Sequence, residues 1–271
     1  MSDSFFSENS FNAALDRLAQ SCGTYLSREK PFIEAQFDNL RISMVFGEIA
    51  RGQNIVSIRK QPLNSRSLAD FVKLNSCTEE QMRLLAEIFS KRNNFLVVGG
   101  TSSGKTSLLQ AMINRAPKLE RHVIIEDTRE LRLPTPCSVS LLTREDPGRQ
   151  VADVNLNDLL KRALRLRPDR IVVGEIRGAE ATALLLALST GHDGSCGSLH
   201  ARSATEALLR LEMLIQMGAP QWSLHSVRRL IALSLKNIIV LEKKDGARKL
   251  SGIFEIHSVE ESGLTLQRLD E

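Results

Sequence analysis

The sequence predicts an α/β chain in two parts: a small α+β module over residues 1–75, then a mostly parallel sheet covered by helices over 76–271. Three observations lead there. The length, 271 residues, exceeds one domain of ~100–200 residues. From Phe95 onward, short apolar runs (FLVV, VIIE, IVVG) alternate with helical segments, as do strands buried on both faces of a parallel sheet. Eight of the 16 glycines fall in the windows 99–104, 174–178 and 191–197, each at or just after a strand end, where open α/β sheets bind ligands.

Each element has its own signal. FNAALDRLAQ spaces Phe11, Ala14, Leu15 and Leu18 as one helical face. PFIEAQF, LRISMVF and NIVSIRK read as strands, the first two joined at Asp38-Asn39, and the module ends near Pro62. Thr78 and Gln81 form a capping box for a helix to about Lys91, and Ser203 with Glu206 forms another before ALLRLEMLI. The tail, NIIVLEKK, KLSGIFEI and LTLQRL, reads as strands turning at Asp245-Gly246 and Ser262-Gly263.

Composition narrows the function classes. Hydrophobic content of 42% with 25% charged residues belongs to a packed protein. The longest charge-free run, Met213–Val227, has 15 residues, short of the ~20 a membrane helix needs. The N-terminus lacks the basic start and apolar stretch of a signal peptide. Cys22, Cys77, Cys137 and Cys196 form no CxxC pair, which points away from zinc and disulfides and toward a reducing cytoplasm. The net charge of +4 is local, because KRALRLRPDR (161–170) alone carries that excess. Its arginines are expected to face phosphates or a neighbouring subunit. The 12 aromatic residues do not interleave with basic ones, as a base-stacking surface requires.

Residues 99–106, GGTSSGKT, match G-x-x-x-x-G-K-[ST] between an apolar strand and a helical run. Gly99, Gly100 and Gly104 leave backbone N–H groups free to curl around phosphate oxygens, with Thr101, Ser102 and Ser103 completing the loop. The helix beginning near Lys105, through Thr106 and Ser107, adds its positive end. Lys105 is expected to bridge the β- and γ-phosphates of ATP and Thr106 to offer its hydroxyl to Mg²⁺.

Acidic and imidazole groups follow. Glu175 sits at a strand end in RPDRIVVGEIRG, where it can polarise an attacking water or pair with Arg177. VIIEDTREL brings Glu126, Asp127 and Glu130 together after a buried strand. Carboxylates so placed repel one another unless a cation or arginines intervene, and a hydrated Mg²⁺ satisfies them. TGHDGSCGSLH holds His192 and His200; with no third ligand nearby they are poor zinc candidates, whereas His200 at a strand end can contact a γ-phosphate.

GGTSSGKT, VIIEDTREL, RPDRIVVGEIRG and TGHDGSCGSLH, in that order, resemble the Walker A, Asp box, Walker B and His box of secretion-type traffic ATPases. RALRLRPDRIVVGEIRGAEA and SATEALLRLEMLI are most similar to the type IV secretion and conjugation branch, including TrbB-like ATPases, with CpaF-like tight-adherence pilus ATPases nearly as similar. The resemblance implies a RecA-like P-loop motor domain, a homohexameric ring, and partners among the inner-membrane components of a secretion, conjugation or pilus system, on the cytoplasmic face of that membrane. It implies Glu175 as the water-activating acid, Glu126 as the carboxylate near Mg²⁺ and His200 as the γ-phosphate contact. Arg165 occupies the place of a family arginine, and Arg41 and Arg59 that of N-terminal arginines approaching phosphates. The segment before Pro31 is short, and Asp38-Asn39 stands where relatives carry Asp-Gly.

Two other functions share this signature. A RecA-type nucleic-acid motor fits the basic run superficially but lacks stacking aromatics. A nucleotide-gated scaffold that barely hydrolyses is at odds with an intact Lys105, Thr106, Glu175 and His200.

Overall fold

The computed structural model describes residues 7–61, 65–144, 151–260 and 263–271. The chain divides into two compact units, Met1–Asn64 and Ser65–Glu271.

In the first unit, Ser7 and Ser10 cap helix α1 (Glu8–Ser21) reciprocally. Strands β1 (Phe32–Phe37), β2 (Leu40–Val45) and β3 (Ile55–Lys60) form an antiparallel sheet in that order. The turn between β1 and β2 is the expected two-residue one, with Phe37 opposite Leu40. Asp38 takes a left-handed φ of 51°, which Asp tolerates better than most residues. Ile33, Ile42 and Met44 face Leu15 and Ala19 of α1 to make a small core. The expected end of the module at Pro62 lies outside the described residues.

The second unit begins with α2 (Leu68–Lys73), which the expected boundary at 75 assigned to the N-terminal module. Leu68 and Phe71 pack with Leu85 and Ile88 of α3 (Glu79–Ser90), so α2 belongs where its apolar face is buried. Thr78 and Gln81 cap α3 as expected. The Gln81 amide nitrogen also donates to Asp270 Oδ2 at 2.6 Å, and Asp270 Oδ1 accepts from the Ile253 amide at 3.0 Å.

An eight-stranded sheet follows, in the order β11-β10-β9-β4-β8-β7-β5-β6. Its strands are β4 (Phe95–Gly99), β5 (His122–Glu126), β6 (Val139–Leu142), β7 (Arg170–Ile176), β8 (Cys196–Leu199), β9 (Asn237–Lys244), β10 (Ala247–Glu260) and β11 (Gly263–Arg268). The six strands from β9 to β6 are mutually parallel, and β10 and β11 extend the edge antiparallel. The predicted α/β fold with a mostly parallel sheet is thus the observed one. Alternate residues of β4 serve opposite faces. Phe95 and Val97 join α2, α3 and α4 (Lys105–Ile113), while Leu96 and Val98 join α5 (Leu156–Ala163), α6 (Glu180–Ser189), α7 (Ala204–Gly218) and α8 (Leu224–Ser234). Ser203 accepts from the Glu206 amide at α7, but the Glu206 carboxylate caps Arg202, one residue further out, so only half the expected box forms. Of the expected tail turns, Asp245-Gly246 joins β9 to β10 with both residues at positive φ; Ser262 lies outside the described residues.

At the amino end of β7, Arg170 corrects the reading of the basic run. It is 2% exposed and faces neither phosphates nor solvent. Its guanidinium donates to Glu120 at 2.6 Å, to the Gly194 carbonyl at 3.0 Å and to the Phe89 carbonyl at 3.0 Å, and stacks on the Phe89 ring. A β-carbon at Gly194 would collide with this guanidinium. Arg92 also donates to Glu120, at 2.8 Å, so losing Arg170 leaves that carboxylate one arginine but strips the buried Gly194 and Phe89 carbonyls of their donor, and breaking a buried charged network of this kind costs about 3–5 kcal/mol. Arg170→Ala is therefore expected to lose that much stability in urea unfolding, whereas Lys161→Ala, on the exposed end of α5, stays within about 0.5 kcal/mol of wild type.

Candidate active site

The loop after β4 has the conformation its glycines allow. Ser102 and Gly104 adopt left-handed φ values of 60° and 103°, and no side chain caps the first turn of α4. Its uncapped N–H groups form an anion-binding end. A β-carbon at Gly100 would meet open space. Ser103 is buried, and its hydroxyl has no partner among the described residues. Lys105 is 8% exposed, and its ammonium donates to the carbonyls of Gly99 and Gly100 at 3.1 Å each. Burial lowers its pKa, against the pull of Glu175 and Glu130.

His200 follows β8, which neighbours β4, and its Nε2 lies 3.3 Å from Lys105 Nζ and 2.9 Å from Glu175 Oε1. One ring nitrogen cannot serve both partners at once: as a lone pair it accepts from Lys105, as N–H it donates to Glu175. Burial, then Lys105, lowers the His200 pKa, which keeps the ring neutral at neutral pH. Glu175 also pairs with Arg177, which reaches on to Asp127 at 3.6 Å. The amides of Arg177 and Gly178 donate to Glu180 at 2.6 and 2.8 Å, fixing the turn beyond the strand.

The register explains how Glu175 reaches this place. Val173 pairs with Gly197, but the next pair is Ile176 with Leu199, so β7 carries one extra residue over Gly174-Glu175. Such a bulge re-aims a side chain. Ile171, Val173 and Ile176 all enter one core layer, and Glu175 is released from the alternation. Gly174 itself lies under Glu126, whose Cγ would be 2.8 Å from a β-carbon there.

The three carboxylates of the Asp-box segment do not converge. Glu126, 3% exposed, accepts from the amides of Glu130 and Leu131 at 3.0 and 2.9 Å, and its Oε2 has no partner among the described residues. Asp127 turns to Arg177. Glu130 accepts from the Thr106 hydroxyl at 3.0 Å. The expected cluster is thus dispersed by backbone amides and an arginine, and Glu130 is the acid beside Thr106. No three His, Cys, Asp or Glu side chains form a metal cage among the described residues. A hydroxyl with one adjacent carboxylate still suits Mg²⁺, which takes few protein ligands and completes its shell with water and phosphate oxygens.

Other expected residues lie elsewhere. Arg165 is exposed in a short 3₁₀ turn before β7, and roughly 17 Å of strand separate the start of β7 from Glu175, so Arg165 is not in its own chain's site. Arg41 and Arg59 are paired neighbours across β2 and β3, on the face opposite the buried Ile42 and Met44. His192 contacts the Ala187 carbonyl at the end of α6. Arg177 and Glu130 were visible in the sequence only as neighbours of stronger candidates; spacing alone does not separate them from solvated charges.

Burial raises the Glu126 pKa from 4.5 to about 7, against the two amide bonds that lower it. Between those values the native state holds a proton that the unfolded chain has lost, so stability falls as pH rises. Glu126→Gln keeps an acceptor for both amides and removes the titration. Thermal melts from pH 4.5 to 7.5 should show a flatter decline for the variant than for wild type.

Residues 33–251 match the family described as Type II/IV secretion system protein. A Mycobacterium tuberculosis protein named for conjugal transfer is 34% identical over 264 residues, covering 94% of this chain and 74% of the relative. Conjugal transfer protein TrbB of Rhizobium radiobacter is 33% identical over 235 residues, covering 85% and 67%. The crystal structure of the VirB11 ATPase from the Brucella suis type IV secretion system, in complex with sulphate, aligns with a TM-score of 0.59 at 25% identity over 92% of this chain and 83% of that one. The chain belongs to the type II/IV secretion system protein family, within its group of type IV secretion and conjugation ATPases.

Proposed function

We propose that this chain is the ATP-hydrolysing motor of a type IV secretion or conjugation apparatus. It works as a homohexameric ring on the cytoplasmic face of the inner membrane, docked on that system's membrane components. The observation that carries the reading is the meeting of Lys105, His200 and Glu175 beside the phosphate loop, with His200 Nε2 within 3.3 Å of both partners.

In this reading the loop amides and Lys105 hold the β- and γ-phosphates. Glu175 orients a water and takes its proton as the water oxygen bonds to the γ-phosphorus and the bond to the β-phosphate oxygen breaks. Preorganised charge of this kind supplies most of the acceleration in phosphoryl transfer. Thr106 and Glu130 hold Mg²⁺, and Glu126 fixes the backbone that presents Glu130. When bound, the ion neutralises charge on the phosphate oxygens. His200 exchanges its contact with Lys105 for one with the γ-phosphate, and loss of that phosphate releases it, a two-state element of the kind that drives domain movement. Arg165, exposed and distant from its own site, acts on a neighbouring subunit. Among the described residues no helix is long and apolar enough to cross a membrane, which fits a peripheral motor.

Lys105→Ala should lose both nucleotide binding and turnover. Glu175→Gln should keep binding and lose turnover by ~10²–10⁴-fold, the worth of a positioned base. Steady-state phosphate release with Mg²⁺ present, beside equilibrium binding of a fluorescent ADP analogue, reads both; wild-type turnover in the two variants overturns the assignment. Affinity capture of the Lys105→Ala protein from native cells distinguishes conjugation components from tight-adherence pilus components.

A further inference from the structure

The β9–β10 hairpin brings one arginine, Arg248, against the outside of the phosphate loop. β9 runs parallel to β4 until Leu241 faces Gly99, then continues through Lys244 beyond the end of β4 and turns at Asp245-Gly246. β10 returns with Arg248 opposite Lys243. Leu250, two residues further on, packs in the core layer that includes α4, and strand alternation puts Arg248 on that same face. Arg248 Nε donates to the Ser102 carbonyl at 2.9 Å. Its Cδ lies 3.4 Å from where a β-carbon of Gly104 would stand. Those two residues are the left-handed positions of the phosphate loop. Among the described residues the guanidinium has no other hydrogen-bond or ion-pair partner, and the hairpin sequence KKDGARK (243–249) carries four basic residues against one acidic.

We infer that Arg248 is a positioning residue for the nucleotide phosphates: it pins the outer turn of the phosphate loop through Ser102 and adds a positive charge beside it. This rests on the ATPase reading above. The Ser102 carbonyl is held from outside by a charge-assisted bond, which keeps the neighbouring amides directed inward, while the remaining guanidinium N–H groups raise the local attraction for an anion. A side chain serving this way affects how tightly nucleotide is held and leaves the chemical step alone.

The test uses the full chain with Arg248→Ala and Arg248→Lys, each checked by thermal melting for an intact fold. Arg248→Ala is expected to raise KM for ATP about tenfold and weaken a fluorescent ADP analogue by a similar factor, with kcat within about twofold of wild type. Arg248→Lys, which keeps the charge and one donor, should recover most of that loss. Wild-type KM and ADP affinity in a folded Arg248→Ala protein overturns the inference, as does a fall in kcat at unchanged KM. If wild-type protein hydrolyses ATP and Lys105→Ala does not, such a result removes Arg248 alone. If wild-type protein neither binds nor hydrolyses nucleotide, the ATPase reading and this inference fall together.

Discussion

A single inserted residue in β7 holds the site together. Had the strand kept strict alternation, Glu175 would follow Ile171 and Val173 into the layer beneath α5–α8, and an unpaired carboxylate there is prohibitively costly. The bulge returns Ile176 to that layer and leaves Glu175 at the carboxyl end of the strand beside His200 and Arg177. It depends on Gly174, because Glu126 presses against the place a side chain would occupy. Glu126 in turn uses Oε1 to fix the amides that orient Glu130 toward Thr106. The end of β7, the turn after β5 and the first turn of α4 are thereby one mechanical assembly, joined through side-chain contacts and side-chain-to-amide bonds.

The two ends of β7 divide the work. Arg170 at its start is buried structure, tying β7 to Phe89 and to the loop that leads into β8. Since β8 delivers His200, the guanidinium at one edge of the sheet helps set the position of the imidazole at the other. Of the basic residues between 161 and 170, the one nearest to Glu175 in sequence thus contributes to folding, while Lys161, Arg162, Arg165 and Arg167 remain on the surface.

Much of this was legible in the sequence because its signals are local. Apolar runs mark β4, β5 and β7 through their own residues, and the caps at Thr78 and Ser203 need only three neighbours. GGTSSGKT identifies its loop without reference to any other segment. What escaped depends on long-range register. The bulge exists only relative to β8, and the dispersal of Glu126, Asp127 and Glu130 depends on which backbone amides the following turn exposes. Arg248 touches Ser102 across 146 positions of sequence. Arg170 was expected among the arginines facing phosphates or a neighbouring subunit, because nothing local announces Glu120 fifty residues away. The compact units divide at Ser65 for the same long-range reason: the apolar face of α2 finds its partner in α3.

The bond between Gln81 and Asp270 spans 189 positions, joining the first capped helix turn of α3 to the penultimate residue of the chain. The Asp270 carboxyl, held below its usual pKa against burial by Ile253, Gln81 and Arg268, closes the second unit on itself. An early helix of this unit and its last residues are thus neighbours in space, so segments far apart in the sequence hold one another in place.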